Sequence, residues 1–193
     1  MKRIIFLILL FYCSFSLAQE KTNIGFGASV GYKCPVNEVG YIIEYKFKRI
    51  FDLYFGLTSA KFNGIGYSIG SDIYLTQKSW QPCIGVTYNY QLGKKLSIGE
   101  HNVDETFYEV KTSKNLICIL GIRIIGLFDD KNANGFVTFT PYLSYRYSYA
   151  PNKVVHTGGV IREDRERIIN NRIGNGFGLG LKILYFINRH KTN

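Results

Sequence analysis

Charge is scarce in this chain, and so are the residues that build most catalytic and metal centres. Of 193 residues 20% are charged, and there are 3 histidines, 4 cysteines, 4 prolines, 1 methionine and 1 tryptophan. No CxxC pair occurs, so the spacing that zinc centres use is missing, and scattered histidines supply no ligand set. Neither GxGxxG nor GxxxxGK[ST] is present, which removes the usual phosphate-cradling loops. Long apolar runs are missing outside the N-terminus, and the mean hydropathy is −0.02. A bundle of membrane helices, which needs several apolar runs of about 20 residues, is therefore excluded. Sustained helical periodicity with caps is not found after the first segment. What is abundant is aromatic and small: Tyr 15, Phe 14 and Gly 20, within a hydrophobic fraction of 46%. Such a chain can offset the entropy of ordering, and its length suits one domain with a β-rich core.

The first eighteen residues read as a secretory signal peptide. Lys2 and Arg3 are a basic start, Ile4 through Tyr12 an apolar core, and Ser16-Leu17-Ala18 places small residues at the cleavage position. The expected domains are thus 1–18, the signal peptide, and 19–193, the mature domain. Taking Lys2 and Arg3 from the +10 of the full chain leaves about +8. A basic excess invites nucleic acid as partner, but export from the cytoplasm removes that expectation. Cys34, Cys83 and Cys118 remain, an odd number that permits one disulfide at most; we read each as small apolar filler.

Period-two alternation recurs through the mature chain. Ile24, Phe26, Ala28, Val30 and Tyr32 alternate with Gly25, Gly27, Ser29 and Gly31; Phe177, Leu179, Leu181, Ile183, Tyr185 and Ile187 oppose Gly176, Gly178, Gly180 and Lys182, with Ile173 and Gly174 opening that last strand. Eight such segments are found. Residues 115–128 are apolar on both faces; placing Leu116, Cys118, Leu120, Ile122 and Ile124 outward leaves Arg123 inward. The connections at one end, Lys48–Asp52, Thr76–Trp80 and Asp129–Gly135, are short. Those at the other, Lys33–Val39, Gly93–Lys114 and Ala150–Asn171, are longer, apart from a tight hairpin near Phe62–Gly64. The fold class expected is all-β, an eight-stranded antiparallel up-and-down barrel.

Alternation does not say which face is wet. In a soluble barrel the bulky residues point inward and charge covers the outside. Here the bulky face is continuous Ile, Leu, Val, Phe and Tyr, and the other is Gly, Ser, Thr and scattered charge. A core so rich in glycine would lack volume, whereas inside a narrow transmembrane barrel glycines make room for large neighbours. Tyr32, Tyr41, Tyr67, Tyr88, Tyr90, Tyr145 and Tyr147 fall in one half of their strands and Phe26, Phe47, Phe128 and Tyr185 in the other, as two aromatic girdles would. With its signal peptide, its eight alternating strands and a final segment from Gly174 to Phe186, the chain resembles the small outer-membrane β-barrel proteins of Gram-negative bacteria. That resemblance implies a last strand, here ending in Tyr185-Phe186, read by the outer-membrane insertion machinery. Seven residues follow Phe186, a departure from members that stop at the aromatic.

The charges assigned to the interior are Glu44, Lys46, Lys48, Asp72, Arg123, Arg146 and Lys182. Since buried charges must be paired and an eight-stranded lumen is filled by side chains, we read them as a salt-bridged plug rather than an anion conduit. The loop residues Lys153, Arg162, Arg165 and Arg167, interleaved with Glu163, Asp164 and Glu166, are candidates for contacting lipopolysaccharide phosphates. His101, His156 and His190 stand at no recognisable spacing from a serine. The function expected is structural or loop-mediated binding at the outer membrane by a monomer in contact with outer-membrane lipid, without catalysis, metal or cofactor. Its alternatives are a lipid-modifying outer-membrane enzyme and a soluble secreted or periplasmic barrel holding a small apolar ligand. The barrel's N- and C-termini are expected at the periplasmic end, with the short turns.

Overall fold

A computed structural model describes residues 23–35, 38–47, 50–60, 64–98, 106–126, 135–150, 154–159 and 163–188. The signal segment 1–18 lies outside them. Eleven strands and one helix are present among the described residues: β1 (Asn23–Tyr32), β2 (Val39–Phe47), β3 (Phe51–Ala60), β4 (Gly64–Tyr74), β5 (Trp80–Gln91), β6 (Lys94–Ile98), β7 (Thr106–Val110), β8 (Ser113–Ile125), β9 (Gly135–Ala150), β10 (Val154–Gly159), α1 (Glu163–Ile173) and β11 (Gly176–Asn188). Eight of the strands form a closed antiparallel barrel in the order β1-β11-β9-β8-β5-β4-β3-β2. Each barrel strand pairs with the barrel strand before it, and β1 closes on β11 from Asn23↔Asn188 to Tyr32↔Leu179. Both ends of the barrel segment therefore leave on the side of the short β2–β3 turn.

The barrel is built by the alternation itself. Along β2, β5 and β8 exposed and buried residues take turns, as a closed pleated sheet requires. Among the described outward-facing side chains of the eight strands the single charged one is Lys114, at the loop end of β8. Everything else outside is dominated by large apolar and tyrosine residues; Ile69 is 54% exposed, Leu120 60% and Leu143 63%.

Inside, glycine and aromatic rings are matched. A Cβ on Gly25 would fall 2.7 Å from Cε1 of Phe186, one on Gly70 2.6 Å from Oη of Tyr54, and one on Gly180 2.5 Å from Oη of Tyr142. Those rings are nearly fully buried, so the glycines supply the volume that large residues inside a narrow barrel need. Gly70→Val is expected to displace Tyr54 from its buried hydrogen bond with Thr87. It should lower stability by about 1–3 kcal/mol, a typical cost of overpacking, read as a lower urea midpoint of Trp80 fluorescence.

Two expectations need correction. The stretches Gly93–Lys114 and Ala150–Asn171 are more than loops: β6, β7 and β10 form a second sheet in the order β10-β7-β6, and α1 follows. The helix carries Glu163, Asp164 and Glu166 in its first turn and Arg172 in its last, charges that complement its dipole. Ile169 and Ile173, four residues apart, share one face and are buried with Tyr108 and Val110. Ile173 thus ends a helix and does not open the last strand, which begins at Gly176 with φ +136°.

Candidate functional site

The barrel interior gathers charge. β2 brings in Glu44 and Lys46, β3 Asp52, β4 Asp72, β8 Arg123 and β11 Lys182, all buried. Arg123 pairs with Glu44 through Nη2 and with Asp52 through Nη1, the latter at 2.6 Å. Lys182 pairs with Asp72 and lies 3.5 Å from Oε2 of Glu44. The result is a chain, Asp52–Arg123–Glu44–Lys182–Asp72, in which Glu44 bridges the two cations. Aromatic faces complete the coordination. The Arg123 guanidinium sits 4.1 Å from the Tyr74 ring centre and 5.3 Å from that of Phe186, and Lys182 Nζ is 4.5 Å from that of Tyr54. Lys46 lies over the same Tyr74 and Phe186 rings, at 5.3 and 6.0 Å, so a third cation stands beside three carboxylates. Burial of unpaired charge is prohibitive and burial of paired charge is more tolerable; this cluster pairs its charges across five strands.

Of the lumen residues singled out from the sequence, Glu44, Asp72, Arg123 and Lys182 come together directly and Lys46 through shared rings. Arg146 does not join them. It is as deeply buried but occupies the loop-end half of β9, opposite Ile117 and Gly176. Lys48 lies outside the described residues. Asp52, which the sequence reading places in the turn, belongs to β3, where its parity with Tyr54 and Thr58 turns it inward.

The loop end of the lumen is closed differently. Gln91 donates to Thr58 at 2.9 Å and to Asn89 at 3.2 Å, and Asn115 donates to Asn89 at 3.3 Å and to Ser113 at 3.2 Å. Above this ladder the chain leaving β1 dips into the mouth: Lys33, Cys34 and Pro35 are buried. Asn89 donates to the Pro35 carbonyl at 3.0 Å, Ser144 to that of Lys33 at 3.0 Å, and Lys33 Nζ to that of Asn175 at 2.7 Å. Lys33 holds the left-handed φ of +49° that turns the chain inward. Burial, with the Arg146 guanidinium beside it, lowers its ammonium below the ordinary lysine range. Charge at one end and an inturned segment at the other occupy the lumen.

Of the surface candidates, Arg165 and Arg167 lie on α1, where Arg167 is exposed, and Lys153 and Arg162 lie outside the described residues. His156 sits on β10 against the Tyr108 ring, and its Nε2 has no hydrogen-bond partner among the described residues. His101 and His190 are outside them. Among the described residues no group of three His, Cys, Asp or Glu side chains could hold a metal. Cys34 and Cys83 are buried, while Cys118 faces outward on β8 and fills no interior space. No described helix is long and apolar enough to cross a membrane. No protein-family model, curated protein or solved structure matches this chain.

Proposed function

We propose that this chain is a monomeric barrel of the bacterial outer membrane, exported by a cleaved signal peptide over 1–18, inserted by the outer-membrane machinery, and serving a structural or surface-binding role without catalysis. One observation carries the reading. The barrel's described outer wall holds a single charged side chain, Lys114 at its rim, while Glu44, Asp52, Asp72, Arg123 and Lys182 are all turned inward. In water that arrangement leaves a broad apolar surface unprotected; in lipid both faces are solvated by what they prefer. The lumen supports the absence of transport, because its charges are paired and its mouth is occupied. A soluble carrier of an apolar ligand is disfavoured by the same contents, since such a carrier needs an apolar cavity where this barrel has an ionic cluster.

The chain expressed with its own leader in a Gram-negative host is expected in the washed membrane fraction. Unboiled and boiled samples should migrate differently on a denaturing gel, because a closed barrel resists detergent until heated. Recovery as a soluble protein with no heat-dependent shift would overturn the proposal.

A further inference from the structure

The hairpin of β5 and β8 does not end at the barrel rim. After Gln91↔Ser113, its last barrel pair, the chain kinks at Gly93, whose φ is +82°, and the same two strands continue outward as β6 and β7 from Lys94↔Val110. Thr112 Oγ1 donates to the Leu92 carbonyl at 3.1 Å and the Leu92 amide to Ile65 at 3.0 Å, which fixes the bend. The bend opens a cleft of about 590 Å³ lined by Leu92, Lys94, Lys95, Glu109, Lys111 and Thr112. Directly below it Lys114 faces outward, in register with Tyr90, and Tyr90 stacks on Tyr67 with ring centres 5.2 Å apart.

Four exposed ammonium groups, those of Lys94, Lys95 and Lys111 at the cleft and of Lys114 on the wall below it, therefore stand on this stretch of the rim with one carboxylate, and no ion pair among the described residues neutralises any of the four. Each ammonium carries three donors and no acceptor. The floor is of opposite character: Leu92 is 60% exposed, and below it the wall is tyrosine and aliphatic. A solvated lysine patch needs no such floor, and a free anion makes no use of it. From this juxtaposition we infer that the cleft holds the phosphate-bearing headgroup of an anionic membrane lipid, with the acyl chains running down the wall past Tyr90 and Leu116. The inference rests on the membrane reading given above, because only then does the rim lie at headgroup level. Lys94, Lys95, Lys111 and Lys114 supply the charge, and Glu109 lies directly opposite Lys95 in the sheet register. No arginine of α1 is among the residues that line the cleft.

The test uses the full mature chain in detergent micelles, checked for its heat-dependent gel shift, with bound lipid counted by native mass spectrometry. Phosphatidic acid should be retained and phosphatidylcholine of the same chains should not. The K94Q/K95Q/K111Q/K114Q variant, still heat-shifting, should lose retention roughly tenfold or more, since each lysine near an anionic headgroup contributes measurably. Arg167→Gln should retain the lipid as the parent does. Equal binding by the quadruple variant, equal retention of phosphatidylcholine, or loss in Arg167→Gln would each overturn the inference. Inorganic phosphate that displaces the lipid at equal concentration would show that the cleft reads a free anion and overturn the lipid assignment. A chain that shifts on boiling yet ignores phosphatidic acid removes this inference alone; a chain without the shift removes the membrane reading first.

Discussion

Arg123→Ala should cost the barrel about 3–5 kcal/mol, the range for breaking a buried ion pair by removing one partner. The guanidinium pairs with both Glu44 and Asp52, and it is fully enclosed. Without it two carboxylates face each other in a closed space, and the slot between the Tyr74 and Phe186 rings stands empty. Arg123→Lys should fall in between, because an ammonium keeps the charge yet cannot span two carboxylates with a planar fork. The decisive variant is the triple R123M/E44Q/D52N. If the loss comes from stranded charge, converting all three to neutral groups should recover much of it, as replacement of whole buried ion networks commonly does. Urea midpoints followed by heat-dependent gel mobility provide the measurement. A wild-type midpoint for Arg123→Ala would show that the cluster contributes nothing. A triple variant no better than the single would assign the loss to packing against Tyr74 and Phe186.

Strand parity made most of this interior legible in the sequence. Arg123 illustrates how far it reaches: in a segment apolar on both faces, and so poorly oriented by pattern, placing Leu116, Cys118, Leu120, Ile122 and Ile124 outward leaves Arg123 inward, and the structure buries it. The same parity covered Asp52, but a charged residue beside a turn is more often solvated, and that bias hid it. Tyr74 and Tyr142 were hidden for a different reason. A tyrosine on the glycine face contradicts a binary small-inside pattern until the opposing glycine is known, and only the register shows that Gly180 faces Tyr142. The β6–β7–β10 sheet and α1 lay beyond reach because their strands are five or six residues long, too short for alternation to stand out. The helix is largely polar; it folds by burying Ile169 and Ile173 on that sheet, a tertiary effect with little local signal. The descent of Lys33–Pro35 into the mouth is likewise set by acceptors offered to Asn89 and Ser144 on strands far away in sequence.

Leu120→Arg is the substitution on which a membrane barrel and a soluble one part most sharply. Leu120 lies midway along β8, paired with Ile84 on one side and Leu143 on the other, and all three are more than half exposed. For a protein dissolved in water, an exposed leucine replaced by arginine changes stability by no more than about 0.5 kcal/mol and improves solubility. At the midplane of a bilayer the same arginine costs about 2–4 kcal/mol, and near the interface about 0–1 kcal/mol. Depth then becomes measurable from two variants. Tyr149, exposed near the loop end of β9, sits at the girdle, so Tyr149→Arg should leave the urea midpoint in phospholipid vesicles nearly unchanged while Leu120→Arg lowers it strongly. In detergent micelles, which deform around a charge, the gap should narrow. Equal and small effects at both positions would mean that Leu120 faces water, and the apolar wall would then need a protein partner to cover it rather than a bilayer.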